Sequence, residues 1–291
     1  MRFPPEAWWQ WGNEMLGRNY RSTSEQQWRR WRQSYGTASP LVMSETWDRC
    51  AAGVPKSRPE HMLWAIIFLK TYGTESDMCD KVRNPKRPDE KTFRQWVWNW
   101  IETISAESSI IIEWENRNKD DVGNECRTTL DSFDSPIDEP SPFWKGWFSK
   151  KHGGAGLRYE VCVSLRGGDI VWFSGPWACG ANAEITTFRR GLKQCLDEGE
   201  CVESDRGLRG EACIKTPSTA NRNAAARSQA NTSRARQESA IGRIKIWRCM
   251  KIQFRHGIEK HAHCARACAA LAQLSIENGE PLFEIEYYTE D

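Results

Sequence analysis

The sequence predicts an α/β fold, with a helical N-terminal region followed by a mixed sheet flanked by helices. Three observations predict it. Apolar residues recur at helical spacing through the first third of the chain, strand-like alternation begins near Cys126, and strand and helix patterns then follow one another. A polar segment at 118–124 is the expected linker, which divides a helical region, residues 1–117, from an α/β domain, residues 118–291.

The composition is that of an ordinary globular protein. Of the 291 residues, 39% are hydrophobic and 27% are charged. The longest apolar run, 63–69, is far shorter than the roughly 18 residues that a membrane-spanning helix needs. Residues 1–5 also lack the apolar stretch of a secretory signal. We therefore expect an intracellular protein with no membrane partner, whose eleven cysteines are buried free thiols.

The N-terminal region contains several segments with the spacing of amphipathic helices. Ser24 and Gln27 form a capping-box pattern at the start of one of them, and Gly36 ends it. Another begins at Pro59, and the segment 93–104 carries an apolar stripe at helical period. Sixteen tryptophans are unusual, and nine precede residue 100. Because most lie at helical spacing, we expect them to pack in the core rather than to stack on nucleic-acid bases.

A helix-turn-helix-like unit is one interpretation of residues from about 59 to 105. Three helices with tight turns fit such a unit, and Thr74 with Asp77 caps the short middle helix. The unit would present Lys91 and Arg94 to DNA from the start of the last helix. A small helical bundle with a solvated basic face explains the same spacing equally well.

The second region alternates strands and helices. Residues 126–133 are Thr-rich and alternate in polarity, which is typical of a strand. Residues 159–165 and 170–173 flank a glycine-containing turn and predict a β-hairpin. The later predicted elements are a helix with apolar positions between 185 and 195, strands at 200–204 and 212–215, a helix that carries Glu238, and a helix over 260–276.

Three acids lie at positions in these predicted elements from which their side chains could bind a metal ion. Asp131 ends the first predicted strand, Asp205 follows the strand at 200–204, and Glu238 lies on the late helix. Carboxylates are ligands that Mg²⁺ prefers, and paired Mg²⁺ ions stabilise the attacking and leaving oxygens of a phosphodiester. The three acids are therefore candidate metal ligands and catalytic residues.

Each acid also has an alternative explanation. Asp131 lies in an acidic stretch that could be a solvated loop, and Glu203 shares a strand face with Asp205. Glu238 is the only acid between Arg222 and Lys251, a segment with eight Lys or Arg residues, so it could form surface salt bridges. A single acid among many basic residues is also what we expect of a metal ligand that lies beside a phosphate-binding surface. Spacing alone does not choose between these explanations.

Five segments, taken in order, resemble the DDE transposase superfamily, specifically its PIF/Harbinger-type domain. The resemblance covers most of the chain, from about Trp28 to the C-terminus. The segments that carry it are Thr129–Ile137, Phe148–Val161, Gly175–Leu192, Ser204–Glu211 and Arg234–Lys245.

This resemblance implies a ribonuclease-H-like fold, in which Asp131, Asp205 and Glu238 bind two Mg²⁺ or Mn²⁺ ions and DNA strands are cut and joined. It further implies DNA as the partner, a Myb-like accessory protein and a homo-oligomer, and a DNA substrate implies nuclear localisation. The basic residues expected to hold phosphates are Arg234, Arg236, Arg243 and Lys245.

The residues around the acids depart from the family's usual pattern. Ser132-Phe133 replaces Gly-Thr after the first aspartate, Ala183-Glu184 replaces a His-Asp pair, and Gln237 replaces a histidine before the glutamate. Two functions therefore remain open. The first is an active DNA endonuclease and strand transferase, and the second is a domesticated, non-enzymatic DNA-binding or interaction protein.

A zinc site is a further alternative near the C-terminus. His261, His263, Cys264 and Cys268 are residue types that bind zinc. We favour core packing, because Cys264 and Cys268 lie one helical turn apart beside apolar residues, and two close ligand pairs at the usual spacing are lacking.

Overall fold

A computed structural model describes residues 3–19, 24–83, 85–119, 126–216 and 224–282. The helices in these ranges are α1 (Pro5–Met15), α2 (Glu25–Tyr35), α3 (Pro40–Cys50), α4 (Pro59–Thr71), α5 (Glu75–Lys81), α6 (Glu90–Ile111), α7 (Glu184–Arg190), α8 (Ala224–Lys245), α9 (Arg248–Lys251) and α10 (Ile258–Glu277). The strands are β1 (Cys126–Pro136), β2 (Phe148–Ser149), β3 (Gly154–Ser164), β4 (Ile170–Ala178), β5 (Cys201–Ser204) and β6 (Ile214–Lys215).

The chain folds into two compact units whose boundaries differ from the predicted one at 117/118. The first unit comprises 1–111, 243–251 and 259–279, and the second comprises 112–242, 252–258 and 280–291. The late helices α9 and α10, expected in the α/β domain, therefore belong with the N-terminal helices. Most of the predicted linker at 118–124 lies outside the described residues.

Burial of α10 explains why the predicted boundary and the observed units differ. Its residues from His261 to Ile276 are almost all buried, and a helix that is apolar on most sides must be surrounded by other elements. Within the first unit, His263 Nδ1 lies 3.2 Å from Ser105 Oγ on α6, and Asn278 donates a 2.9 Å hydrogen bond to Glu45 on α3. The helical periodicity of the sequence predicts that α10 is a helix, but it does not predict which other elements pack against it.

The C-terminal histidine and cysteines lie in this helical core. His261, Cys264 and Cys268 are buried, and Cys268 Sγ lies 3.7 Å from Cys249 Sγ. This placement agrees with core packing. All eleven cysteines lie among the described residues as free thiols, and eight are buried as predicted, whereas Cys126, Cys195 and Cys213 are half-buried.

Helices α4, α5 and α6 confirm the three helices predicted between residues 59 and 105. Thr74 caps α5, since its Oγ1 accepts a 3.2 Å hydrogen bond from the Asp77 amide. Lys91 and Arg94 are exposed on α6, and Arg94 forms an ion pair with Glu75 on α5. Their contact with DNA stays a prediction, as does the helix-turn-helix interpretation.

The second unit is built on a mixed sheet. Among the described residues the strand order is β4-β3-β1-β5-β6, and β2 pairs with the start of β3. Strand β1 is antiparallel to β3 and parallel to β5. The predicted hairpin is confirmed as β3 and β4. This mixed sheet with flanking helices is compatible with a ribonuclease-H-like fold.

The two faces of the sheet are covered by different helices. Helix α7 packs over an apolar cluster that includes Leu130, Cys162 and Phe188. Helix α8 lies on the opposite face, where Gln237 Nε2 donates a 2.7 Å hydrogen bond to the Val161 carbonyl. Because side chains alternate along a strand, Leu130 and Asp131 point to opposite faces.

No helix among the residues described is both long enough and apolar enough to cross a membrane.

Candidate active site

Two of the three predicted acids are brought side by side by strand register. Strands β1 and β5 run parallel, and their last paired residues are Leu130 and Ser204. Asp131 and Asp205 are the next residues of each chain segment. Since neighbouring strands lie about 4.8 Å apart, the two carboxylates leave the sheet at the same point.

The surroundings of Asp131 disfavour the ionised form of its carboxylate. Burial raises its pKa, and the negative charges of Asp205 and Glu184 raise it further. The Ser132 amide, which donates a 2.7 Å hydrogen bond to Asp131 Oδ1, and the charge of Lys151 lower the pKa but do not reverse the shift. A partly buried carboxylate beside two others is a site that a cation would stabilise.

Gly207 holds the turn that follows Asp205. The Gly207 amide donates a 2.7 Å hydrogen bond to Asp205 Oδ1, which orients that carboxylate. A Cβ at Gly207 would lie 2.7 Å from Glu184 Oε2 and 2.9 Å from Asp205 Oδ1. These two carboxylates therefore lie close to the same point, and a side chain at position 207 would displace one of them.

Glu184 is a site residue that the sequence interpretation missed. It is the first residue of α7, and its Oε1 accepts a 2.6 Å hydrogen bond from Ser132 Oγ. Lys151 Nζ lies 3.7 Å and Arg158 Nε 4.0 Å from the same oxygen. One feature of the sequence could have indicated Glu184 as a site residue. It occupies the position at which the family pattern has the acid of a His-Asp pair.

Glu238 lies on α8 with an exposed side chain. The preceding residue, Gln237, contacts the carbonyl of Val161, which is the cross-strand partner of Asp131. Glu238 is thus on the helix that covers the Asp131 face of the sheet. In the part of the chain that the structure describes, no three His, Cys, Asp or Glu side chains converge closely enough to hold a metal ion.

The donor set that does converge suits a hard divalent cation. Mg²⁺ is commonly bound by one or two carboxylates and completes its shell with water and substrate oxygens. Asp131 and Asp205 supply two such carboxylates, each already oriented by a backbone amide.

The predicted phosphate-binding residues differ in their environments. Arg234 is exposed on α8, whereas Arg243 and Lys245 are half-buried at its end. Arg243 donates a 3.2 Å hydrogen bond to Ser275 Oγ.

Arg236 requires a correction, because its guanidinium is engaged inside the second unit. The residue is 2% exposed, and its Nη1 donates hydrogen bonds to the carbonyls of Leu165 and Arg166. Helical periodicity explains the difference, since positions 234 and 236 point to different sides of one helix. Arg236 stabilises the β3–β4 turn and is not part of the proposed DNA-binding surface.

The comparisons with known proteins bear on the same part of the chain. Residues 130–273 match the DDE superfamily endonuclease family. The matched segment contains Asp131, Asp205 and Glu238, and it supports the DDE endonuclease superfamily, whose members generally use divalent metals. No curated protein and no solved structure is significantly similar to the chain. The PIF/Harbinger subtype stays a prediction.

Proposed function

We propose that this protein is a transposase-type, PIF/Harbinger-like DNA endonuclease and strand transferase that depends on Mg²⁺ or Mn²⁺. The observation that carries the proposal is the register-matched pair of Asp131 and Asp205 inside the segment that matches the DDE endonuclease family. Burial opposes the ionised form of Asp131, and a bound cation would stabilise that form.

In this proposal, Asp131 and Asp205 hold two metal ions, and Glu238 on α8 contributes the third carboxylate. When bound, such ions activate water or a DNA 3′-hydroxyl and stabilise the leaving oxygen. The Ser132 and Gly207 amides keep the aspartate oxygens oriented. Lys151, whose Nζ lies 3.7 Å from Glu184 Oε1, is proposed to contact a phosphate oxygen of the DNA beside the acids.

Basic residues of α8 and α6 are proposed to hold the DNA. Arg234, Arg243 and Lys245 lie on the same helix as Glu238, and phosphate contacts from such residues make binding salt-dependent. Lys91 and Arg94 are proposed to contact DNA from the helical unit. From the resemblance to the family, we further propose that the protein acts with a Myb-like accessory protein, forms a homo-oligomer and resides in the nucleus.

The test is metal-dependent nicking of supercoiled plasmid. We expect nicking by the wild-type protein with Mg²⁺ or Mn²⁺, and none by Asp131→Asn, Asp205→Ala or Glu238→Gln, with plasmid binding retained by all three. Asp138→Asn is the matched control, because Asp138 is an exposed acid close to Asp131 in sequence.

Two other outcomes are informative. Equal nicking by the wild type and the Asp205→Ala variant would assign the activity to a contaminant. Binding of DNA without nicking under any divalent metal would favour the domesticated, non-enzymatic protein, which the retained aspartate pair does not favour.

A further inference from the structure

A groove of about 700 Å³ lies in the second unit, and one of its lining residues is Lys151, whose charge acts on Asp131. Aromatic and basic side chains share its lining, and we call it the aromatic–basic groove. These aromatic and basic residues are Trp144, Lys145, Phe148, Lys150, Lys151 and Arg158.

Two large aromatic rings of this groove face solvent. Trp144 is 52% exposed and Phe148 is 41% exposed. We expected the tryptophans to pack in the core, and Trp31 and Trp100 are indeed fully buried. Exposing such rings costs hydrophobic free energy unless a partner covers them. The expectation that the tryptophans serve only as packing residues therefore does not extend to Trp144.

The backbone holds these rings in place. A Cβ at Gly146 would come within 2.4 Å of the Trp144 ring, so the indole lies directly against this glycine. The amides of Gly180 and Ala181 both donate hydrogen bonds to the Gly146 carbonyl, at 2.8 and 2.9 Å. The ring is thus presented from a segment anchored to the end of β4, which reduces the entropy lost when a ligand stacks on it.

The charge of the groove favours an anionic ligand. Lys145, Lys150 and Lys151 have exposed side chains. The acid in the lining, Asp134, is compensated by Arg158, whose Nε lies 2.9 Å from its Oδ1. That pair lowers the pKa of Asp134 despite its burial, so it contributes no net repulsion toward a phosphate.

Lys151 connects the groove to the acids. Its Nζ lies 3.7 Å from Glu184 Oε1 and 3.5 Å from the Ser132 carbonyl, and its charge acts on Asp131. A strand that follows the lysines of the groove would therefore reach the aspartate pair.

We infer that the aromatic–basic groove binds an unpaired DNA strand adjacent to the phosphodiester bond that is cut. Trp144 and Phe148 stack on bases, and Lys145, Lys150 and Lys151 contact phosphates. Bases within a duplex are already stacked on one another, so only an unpaired strand can use the aromatic faces. The inference rests on the proposed DNA substrate and specifies its form.

The test measures binding in EDTA, so that it does not depend on catalysis. The probes are a fluorescein-labelled oligothymidine, a duplex of equal length, and an oligonucleotide that carries 2-aminopurine, whose emission falls when it stacks on an aromatic ring. Trp144→Ala and Phe148→Ala are expected to weaken oligothymidine binding about tenfold or more, with duplex binding changed less than about twofold. Both variants should also lose the 2-aminopurine quenching.

Phe143→Ala is the matched control, because Phe143 is 61% exposed and does not line the groove. It should bind every probe as the wild type does. Lys150→Ala should reduce the salt slope of oligothymidine binding by about 0.7, and Lys56→Ala should not. Thermal unfolding of each variant shows whether the fold is retained, and Trp144→Phe should recover part of the affinity.

The inference is overturned if Trp144→Ala binds oligothymidine as tightly as the wild type does. It is equally overturned if single-stranded and duplex binding fall together, or if an oligoglutamate peptide competes as well as oligothymidine, which would indicate an acidic peptide as the occupant. Failure of plasmid nicking with normal oligonucleotide binding would contradict the catalytic proposal alone.

Discussion

Ser204 aligns Asp205 with Asp131, because its Oγ donates a 3.0 Å hydrogen bond to the Leu130 carbonyl across the parallel strands. Leu130 and Ser204 are also the last registered pair of β1 and β5. A slip of one residue would send one of the aspartates to the opposite face of the sheet. The proposed metal site therefore depends on this register.

Gly207→Ala should damage the site more than the fold. The added Cβ would meet oxygens of Glu184 and Asp205 within 3 Å, which must move one carboxylate from its position. We expect plasmid nicking to fall at least about tenfold, whereas the free energy of unfolding should stay within about 0.5 kcal/mol of the wild-type value, because Gly207 is exposed and the displaced atoms are side-chain ends. Gly242→Ala is the control, because nothing lies within 4 Å of its added Cβ and alanine suits a helix. Unchanged nicking by Gly207→Ala would show that the two carboxylates need not keep these positions.

Arg234 and Arg236 should respond oppositely to substitution by alanine. Arg236→Ala removes the donors to the buried Leu165 carbonyl and the half-buried Arg166 carbonyl and should lower the free energy of unfolding by about 1–3 kcal/mol, with the salt slope of DNA binding unchanged. Arg234→Ala should leave stability within about 0.5 kcal/mol and reduce the salt slope by about one. Urea titrations and duplex binding at several salt concentrations measure both quantities. A reduced salt slope in Arg236→Ala would return Arg236 to the DNA-binding set.

Glu160 should make the protein less stable as the pH rises. Burial raises its pKa from the usual 4.5 to about 7, with a contribution from the charge of Glu184 and opposition from Thr187 and Arg158. Below pH 4.5 both the folded and the unfolded states hold the proton. Between pH 4.5 and 7 the unfolded state ionises while the folded state keeps its proton, so stability is lost over this window.

Glu160→Gln removes that loss and keeps an acceptor for Thr187 Oγ1, which donates a 2.5 Å hydrogen bond to Glu160 Oε1. Relative to the wild type, this variant should gain up to about 3 kcal/mol of unfolding free energy between pH 4.5 and pH 8. Chemical denaturation at several pH values measures the gain. A constant difference between the two proteins across this range would contradict the shifted pKa.

Arg117 and Glu200 form a buried ion pair in the second unit. Their side chains are 3% and 2% exposed, and Arg117 Nε lies 3.0 Å from Glu200 Oε1. Arg117→Met leaves the buried Glu200 carboxylate without its guanidinium and should lower stability by about 3 kcal/mol or more. Glu200→Gln should cost less, because Asp197 still lies 2.9 Å from Arg117 Nη2. The double variant should lose clearly less than the sum of the two single losses. Strict additivity in this double-mutant cycle would show that the two groups do not interact.

The local elements could be predicted from the sequence because their signals are local. Ser24 and Gln27 predicted a capping box, and both of its hydrogen bonds are present at the start of α2. Alternating residues predicted β1, and the glycine-containing turn predicted the hairpin of β3 and β4. In each case the residues that determine the conformation are within a few positions of one another.

The sequence by itself thus determined where helices such as α2 and strands such as β1, β3 and β4 form, and it marked Asp131 and Asp205 as acids at the ends of predicted strands. Only the tertiary structure decided that these two acids are neighbours, that Glu184 joins them, and that Arg236 is buried while Trp144 is exposed. It also decided that α10 packs with the N-terminal helices. The physical reason is that periodicity specifies which side of an element is apolar, whereas register and burial depend on elements far away in the chain.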